Sequence, residues 1–182
     1  MLRLLAFGLA LVLAGLPARG GERVHDLAFA AIDGTSLDLA AFEGRPLLVV
    51  NTASRCGFTP QYASLQEVWE RYRDRGLVVI GMPSNDFNQE YGDDAAIRDF
   101  CEVNFGIDFP MSASAATRGS GQHPFFARVA EDLGAGALPR WNFHKYLVDR
   151  AGRVVAGWPS MTRPTGAEIT AAIEAALAEP AG

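Results

Sequence analysis

Leu47-Leu48-Val49-Val50-Asn51-Thr52-Ala53-Ser54-Arg55-Cys56-Gly57-Phe58-Thr59-Pro60-Gln61-Tyr62 joins an apolar run, a polar passage with one cysteine, and the start of a helical pattern. The run Leu47 to Val50 is short and partly β-branched, the composition of a buried strand. Beyond Gly57, Thr59 suits a helix N-cap and Pro60 the first helical position. Tyr62, Leu65, Val68, Trp69 and Tyr72 recur at helical spacing, and Gly76 supplies a stop. Cys56 is therefore predicted in a strand-to-helix turn, where unpaired backbone N–H groups and the positive helix end favour a thiolate. Arg55 acts in the same direction. The placement predicts a reactive cysteine, not a packed one.

Working outward, Leu77 to Met82 is a second apolar strand, and strand, helix, strand implies a right-handed parallel crossover. Upstream, Leu27 to Leu39 reads as a β-hairpin turning at Asp33-Gly34. Downstream, Asp93 or Asp94 caps a helix running to about Phe105, with Ile97, Phe100 and Cys101 on one face. Phe109-Pro110-Met111 is a short extended piece, and His123-Pro124 opens another helix. Asn142 to Trp158 reads as a second hairpin turning at Arg150-Ala151-Gly152. Thr165-Gly166-Ala167-Glu168 has the form of a capping box before a stripe of Ile169, Ala172, Ile173, Ala176 and Leu177. The order predicts an α/β fold, a thioredoxin-like three-layer sandwich with a central mixed sheet flanked by helices and an N-terminal β-hairpin.

The first twenty residues read as a cleavable targeting segment. Arg3 gives the positive end, Leu4 to Leu16 an apolar run short for a bilayer, and Ala18-Arg19-Gly20 small residues for cleavage before Gly21. An uncleaved membrane anchor is the competing reading. Export, in a bacterial cell to the periplasm, is the expectation. The formal charge of −5 becomes more acidic once Arg3 and Arg19 leave, which argues against nucleic acid or an anionic membrane as partner. Only two cysteines, Cys56 and Cys101, enter an oxidising compartment, too few for a disulfide scaffold. They read as a redox-active site, with a structural bridge as the alternative.

Asn51 to Tyr62 resembles the nucleophile motif of the glutathione peroxidase family in its cysteine form. Trp141-Asn142-Phe143-His144-Lys145 resembles that family's Trp-Asn-Phe-x-Lys signature, and Pro83-Ser84-Asn85-Asp86-Phe87 stands where the family carries Pro-Cys-Asn-Gln-Phe. Residues 21–182 then form one such domain. The resemblance implies thiol-dependent reduction of hydrogen peroxide and organic hydroperoxides. Cys56 would be the attacking thiolate, with Trp141 and Asn142 as neutral donors, and neither prosthetic group nor metal. It also implies glutathione or a thioredoxin-like protein as reductant.

The chain departs from that pattern in three places. Asp86 occupies the glutamine position, where an ionised carboxylate would oppose a thiolate unless it turns away. Gln89, three residues on, is a possible substitute. Ser84 replaces a cysteine, and the loop Phe87 to Gly92 is one residue short and lacks a proline. Cys101 is the candidate resolving cysteine, but it falls one residue from the family's position, about 100° around a helix, on the apolar face. The short stretch from Phe126 to Pro139 points to a monomer. Two other readings use the same fold, a non-enzymatic exported thiol sensor and a thiol–disulfide oxidoreductase. The absence of Cys-x-x-Cys counts against the second.

Overall fold

In the computed structural model, which describes residues 23–180, a hairpin of β1 (Ala28–Ala30) and β2 (Ser36–Asp38) turns through Gly34. Gly34 has φ of 85°, a conformation that glycine adopts without a Cβ clash. The targeting segment expected over residues 1–20 lies outside the described residues. β3 (Leu47–Thr52), α1 (Gln61–Tyr72) and β4 (Val78–Pro83) form the predicted crossover, with β3 and β4 parallel. Then follow α2 (Asp94–Phe105), α3 (Pro124–Leu133), β5 (Lys145–Val148), β6 (Val154–Trp158) and α4 (Ala167–Ala178). The main sheet runs β4-β3-β5-β6, with β5 antiparallel to both its neighbours. This is the mixed sheet expected, with the small hairpin sheet beside it.

β3 is buried on both faces, which is why its sequence is apolar without alternation. Leu48 and Val50 join Leu65 and Val68 of α1, Ile97 and Cys101 of α2, and Ile169 and Ile173 of α4. Leu47 and Val49 face the opposite layer, with Phe125, Phe126 and Val129 of α3 and Phe29 of β1. Full burial of a side chain of this size stabilises by about 1.5–3 kcal/mol, so the two layers fix the register of β3.

Two expected helix starts differ. α1 begins at Gln61, with Pro60 as the cap, and Thr59 does not cap it. The Thr59 hydroxyl is already engaged, donating to Ala53 O at 2.9 Å and accepting the Cys56 N–H at 3.0 Å. Likewise α4 is capped by the Gly166 backbone, not by a Thr165 capping box. Glu168 is drawn away by the Trp158 indole N–H, 2.8 Å from its carboxylate.

Burial holds all three histidines below the ordinary imidazole value, His144 to about 4 with Lys145 and Arg140 adding to the effect. The unfolded chain binds protons at these rings below pH ~6.5, where the folded chain does not. Their contribution to stability is therefore complete above pH ~6.5 and is lost as the pH falls towards 4. Thermal melts should show Tm declining over that window, less steeply in His144→Asn. A Tm independent of pH there would contradict this account.

Candidate active site

The turn between β3 and α1 is held at nearly every backbone donor. Ser54 N–H donates to Glu90 Oε1 at 3.0 Å, and Arg55 N–H to Gln89 O at 2.8 Å. Cys56 N–H donates to the Thr59 hydroxyl, and Phe58 N–H to Cys56 Sγ at 3.4 Å. Cys56 keeps 7% of its surface exposed, a narrow opening for a small reacting group.

A second segment is pinned to the end of β3 by one residue. Asn51 Nδ2 donates to Trp141 O at 3.0 Å, and Asn51 Oδ1 accepts His144 N–H at 2.9 Å. Its carbonyl accepts Phe143 N–H at 2.6 Å. Phe143 sits at φ of 62°, a left-handed conformation costly for an aromatic residue and sustained here by the three bonds. The Ser160 hydroxyl holds Asn142 O at 2.5 Å, and Nζ of the buried Lys145, whose pKa burial lowers to about 7, donates to the carbonyls of Ser160 and Thr162. Asn142 is thus fully buried in a fixed place, while Trp141 remains 39% exposed with its ring on Phe87.

The loop between β4 and α2 decides between Asp86 and Gln89. Asp86 turns away: Oδ2 accepts from Thr117 N–H at 2.6 Å and the Thr117 hydroxyl at 2.7 Å, and Arg118 donates to its carbonyl. The loop tightens through Asn88, at φ of 56°, whose N–H bonds Asn85 O. Asparagine tolerates this left-handed position. The shortened path brings Gln89 to the site, its Oε1 accepting Asn142 Nδ2 at 3.0 Å. Gln89 therefore touches the Asn142 amide with its side chain and the Cys56 turn with its carbonyl.

Cys101 does not share this surface. It is a free thiol, wholly buried on α2, and burial pushes its pKa up to about 11. Beside the turn runs a mostly apolar groove of about 770 Å³, bounded by Phe58, Leu133, Trp141, Trp158 and Met161, with Arg140 at its edge.

Three positioning features were missed by the sequence reading. Asn51 and Lys145 showed only as the first and last letters of two motifs, and Glu90 only as a residue of the short loop from Phe87 to Gly92. A signal for Asn51 was present, as the first polar residue of an otherwise apolar strand.

A cysteine presented on a strand-to-helix turn of this sheet, with the buried Asn142 amide and the half-buried Gln89 amide of two other segments joined at that turn, defines a thiol-dependent oxidoreductase of thioredoxin-like fold. A sequence model of the family described as glutathione peroxidase matches residues 24–130. Over 171 residues the chain is 40% identical to a hydroperoxy fatty acid reductase of Synechocystis sp., covering 89% of this chain and 100% of that one. It is also 40% identical to a glutathione peroxidase-like peroxiredoxin of Schizosaccharomyces pombe, covering 77% and 90%. The crystal structure of Trgpx in its apo form superposes with a TM-score of 0.71 at 29% identity, covering 89% of this chain and all of that one. The chain belongs to the glutathione peroxidase family, and it is a thiol-dependent peroxidase.

Proposed function

We propose that Cys56 is the peroxidatic thiol, that the Asn142 amide and the Trp141 indole serve the reacting oxygens, and that Gln89 orients Asn142. The observation that carries this is the convergence on one turn of the Phe58 N–H at Sγ and the Gln89–Asn142 pair. The thiolate attacks one peroxide oxygen, forming an S–O bond as the O–O bond breaks. The departing alkoxide or hydroxide takes a proton, leaving a sulfenic acid and an alcohol or water. A thiol then displaces the sulfenic oxygen as water, giving a disulfide that a second thiol reduces. Neutral N–H donors suit a site that must stabilise a thiolate and a departing oxygen in turn.

The apolar groove that Phe58 and Trp141 help to line supports hydroperoxides carrying an apolar tail, in line with the fatty-acid substrate named for the Synechocystis relative. Glutathione or a thioredoxin-like protein serves as reductant, Cys101 is the candidate resolving thiol, and the protein acts as an exported monomer in the periplasm. Export rests on Arg3, the apolar run to Leu16 and the small residues before Gly21.

Intact-mass measurement tests these points together, on protein expressed with its leader and oxidised by one equivalent of peroxide. The expected mass begins at Gly21. Loss of two hydrogens in the parent, with one added oxygen in Cys101→Ser, makes Cys101 the resolver; a sulfenic acid in both assigns that step to an external thiol. No prompt oxidation in either would sink the proposal. Turnover should favour a C18 fatty-acid hydroperoxide over hydrogen peroxide in kcat/KM, and the reverse order would remove the groove from substrate binding.

A further inference from the structure

Glu90 is a carboxylate that water would ordinarily claim, yet only 5% of its surface is exposed and burial raises its pKa. Its Oε1 accepts two backbone donors, Ser54 N–H at 3.0 Å and Tyr91 N–H at 2.9 Å. Next to these, Gln89 O holds Arg55 N–H, and the Arg55 guanidinium lies 4.2 Å from the centre of the Tyr91 ring. Residues 89–91 thus grip residues 54 and 55, the two that precede the cysteine.

The same region is a buried polar cluster, in which the Glu90 carboxyl group interacts with the Ser54 hydroxyl, and the Tyr62 hydroxyl with Thr52 and Cys101. Taking a carboxyl group out of water costs free energy even where it finds partners. An apolar residue in place of Glu90 would avoid that cost. Packing alone therefore does not account for the carboxylate, whereas its hold on the turn does.

We propose that Glu90 is a positioning residue for the reaction at Cys56, its carboxylate fixing the Ser54–Cys56 backbone so that Sγ stays on the Phe58 N–H and in line with the incoming peroxide. This rests on Cys56 being the attacking thiol. Glu90→Asp keeps the charge but withdraws the carboxylate by one methylene, whereas Glu90→Gln keeps both length and an acceptor. In Glu90→Asp the rate of Cys56 oxidation by hydrogen peroxide should fall about tenfold, the scale of a displacement under 1 Å. Alkylation by iodoacetamide, which needs the thiolate but not the aligned oxygen, should change less than about threefold on the same scale. Glu90→Gln should restore the peroxide rate.

An unchanged peroxide rate in Glu90→Asp, or equal losses in oxidation and alkylation, would overturn the proposal. So would a Glu90→Gln variant as slow as Glu90→Asp. In the unmodified protein the Ser54 and Arg55 amides should exchange slowly with deuterium, and rapid exchange there overturns it without any variant. Failure of the underlying reading looks different, since peroxide would then still be consumed by Cys56→Ser.

Discussion

Cys56→Ser should lower hydroperoxide turnover by ~10⁴-fold or more, the scale of removing a catalytic nucleophile. A serine hydroxyl is not ionised near neutral pH, so the Phe58 N–H at this position has no anion to hold. Cys101 cannot take over. With its pKa pushed up to about 11 it is only ~10⁻⁴ thiolate at pH 7, and its surface is wholly buried. Peroxide consumption with excess dithiothreitol, followed by residual-peroxide assay, measures the effect, and near-ultraviolet circular dichroism checks the fold. Residual turnover above about one per cent of the parent rate would mean that peroxide chemistry reaches Cys101, because the chain has no third thiol.

The parts of this site that were legible in the sequence are those set by local chemistry. An apolar run ending in a polar turn placed Cys56 correctly between β3 and α1, and the two hairpins followed from their glycine turns. The misread parts depend on where a side chain finds its partner. Thr59 has the composition of an N-cap, but Ala53 and Cys56 offer its hydroxyl better bonds closer to the turn. Glu168 fits a capping box, but an indole from β6 claims it. Glu90 reads as one more loop carboxylate until Ser54, distant in sequence, is seen to donate to it. Such long-range choices leave no periodic trace.

The expected consequence at the β4–α2 loop is that Gln89→Ala costs ~10² in kcat/KM, whereas Asp86→Ala costs less than about threefold. Gln89 Oε1 fixes the Asn142 amide by taking one of its two N–H bonds, which directs the remaining N–H and the carbonyl. Without that acceptor the amide turns freely, and a donor that must be preorganised no longer is. Asp86 has no such part, because its carboxylate is spent on Thr117. Its removal leaves the buried Thr117 N–H unpaired, costing about 1–3 kcal/mol of stability and lowering Tm. The two substitutions should therefore separate in activity: each leaves a buried N–H unpaired and lowers Tm, but only Gln89→Ala lowers kcat/KM strongly. Asp86→Gln in the Gln89→Ala background supplies the glutamine that the family motif carries at this position. It should not restore activity, since the short loop through Asn88 directs residue 86 towards Thr117 and residue 89 towards Asn142. Recovery in that double variant would mean that side-chain identity, not the path of the loop, chooses which residue serves the site.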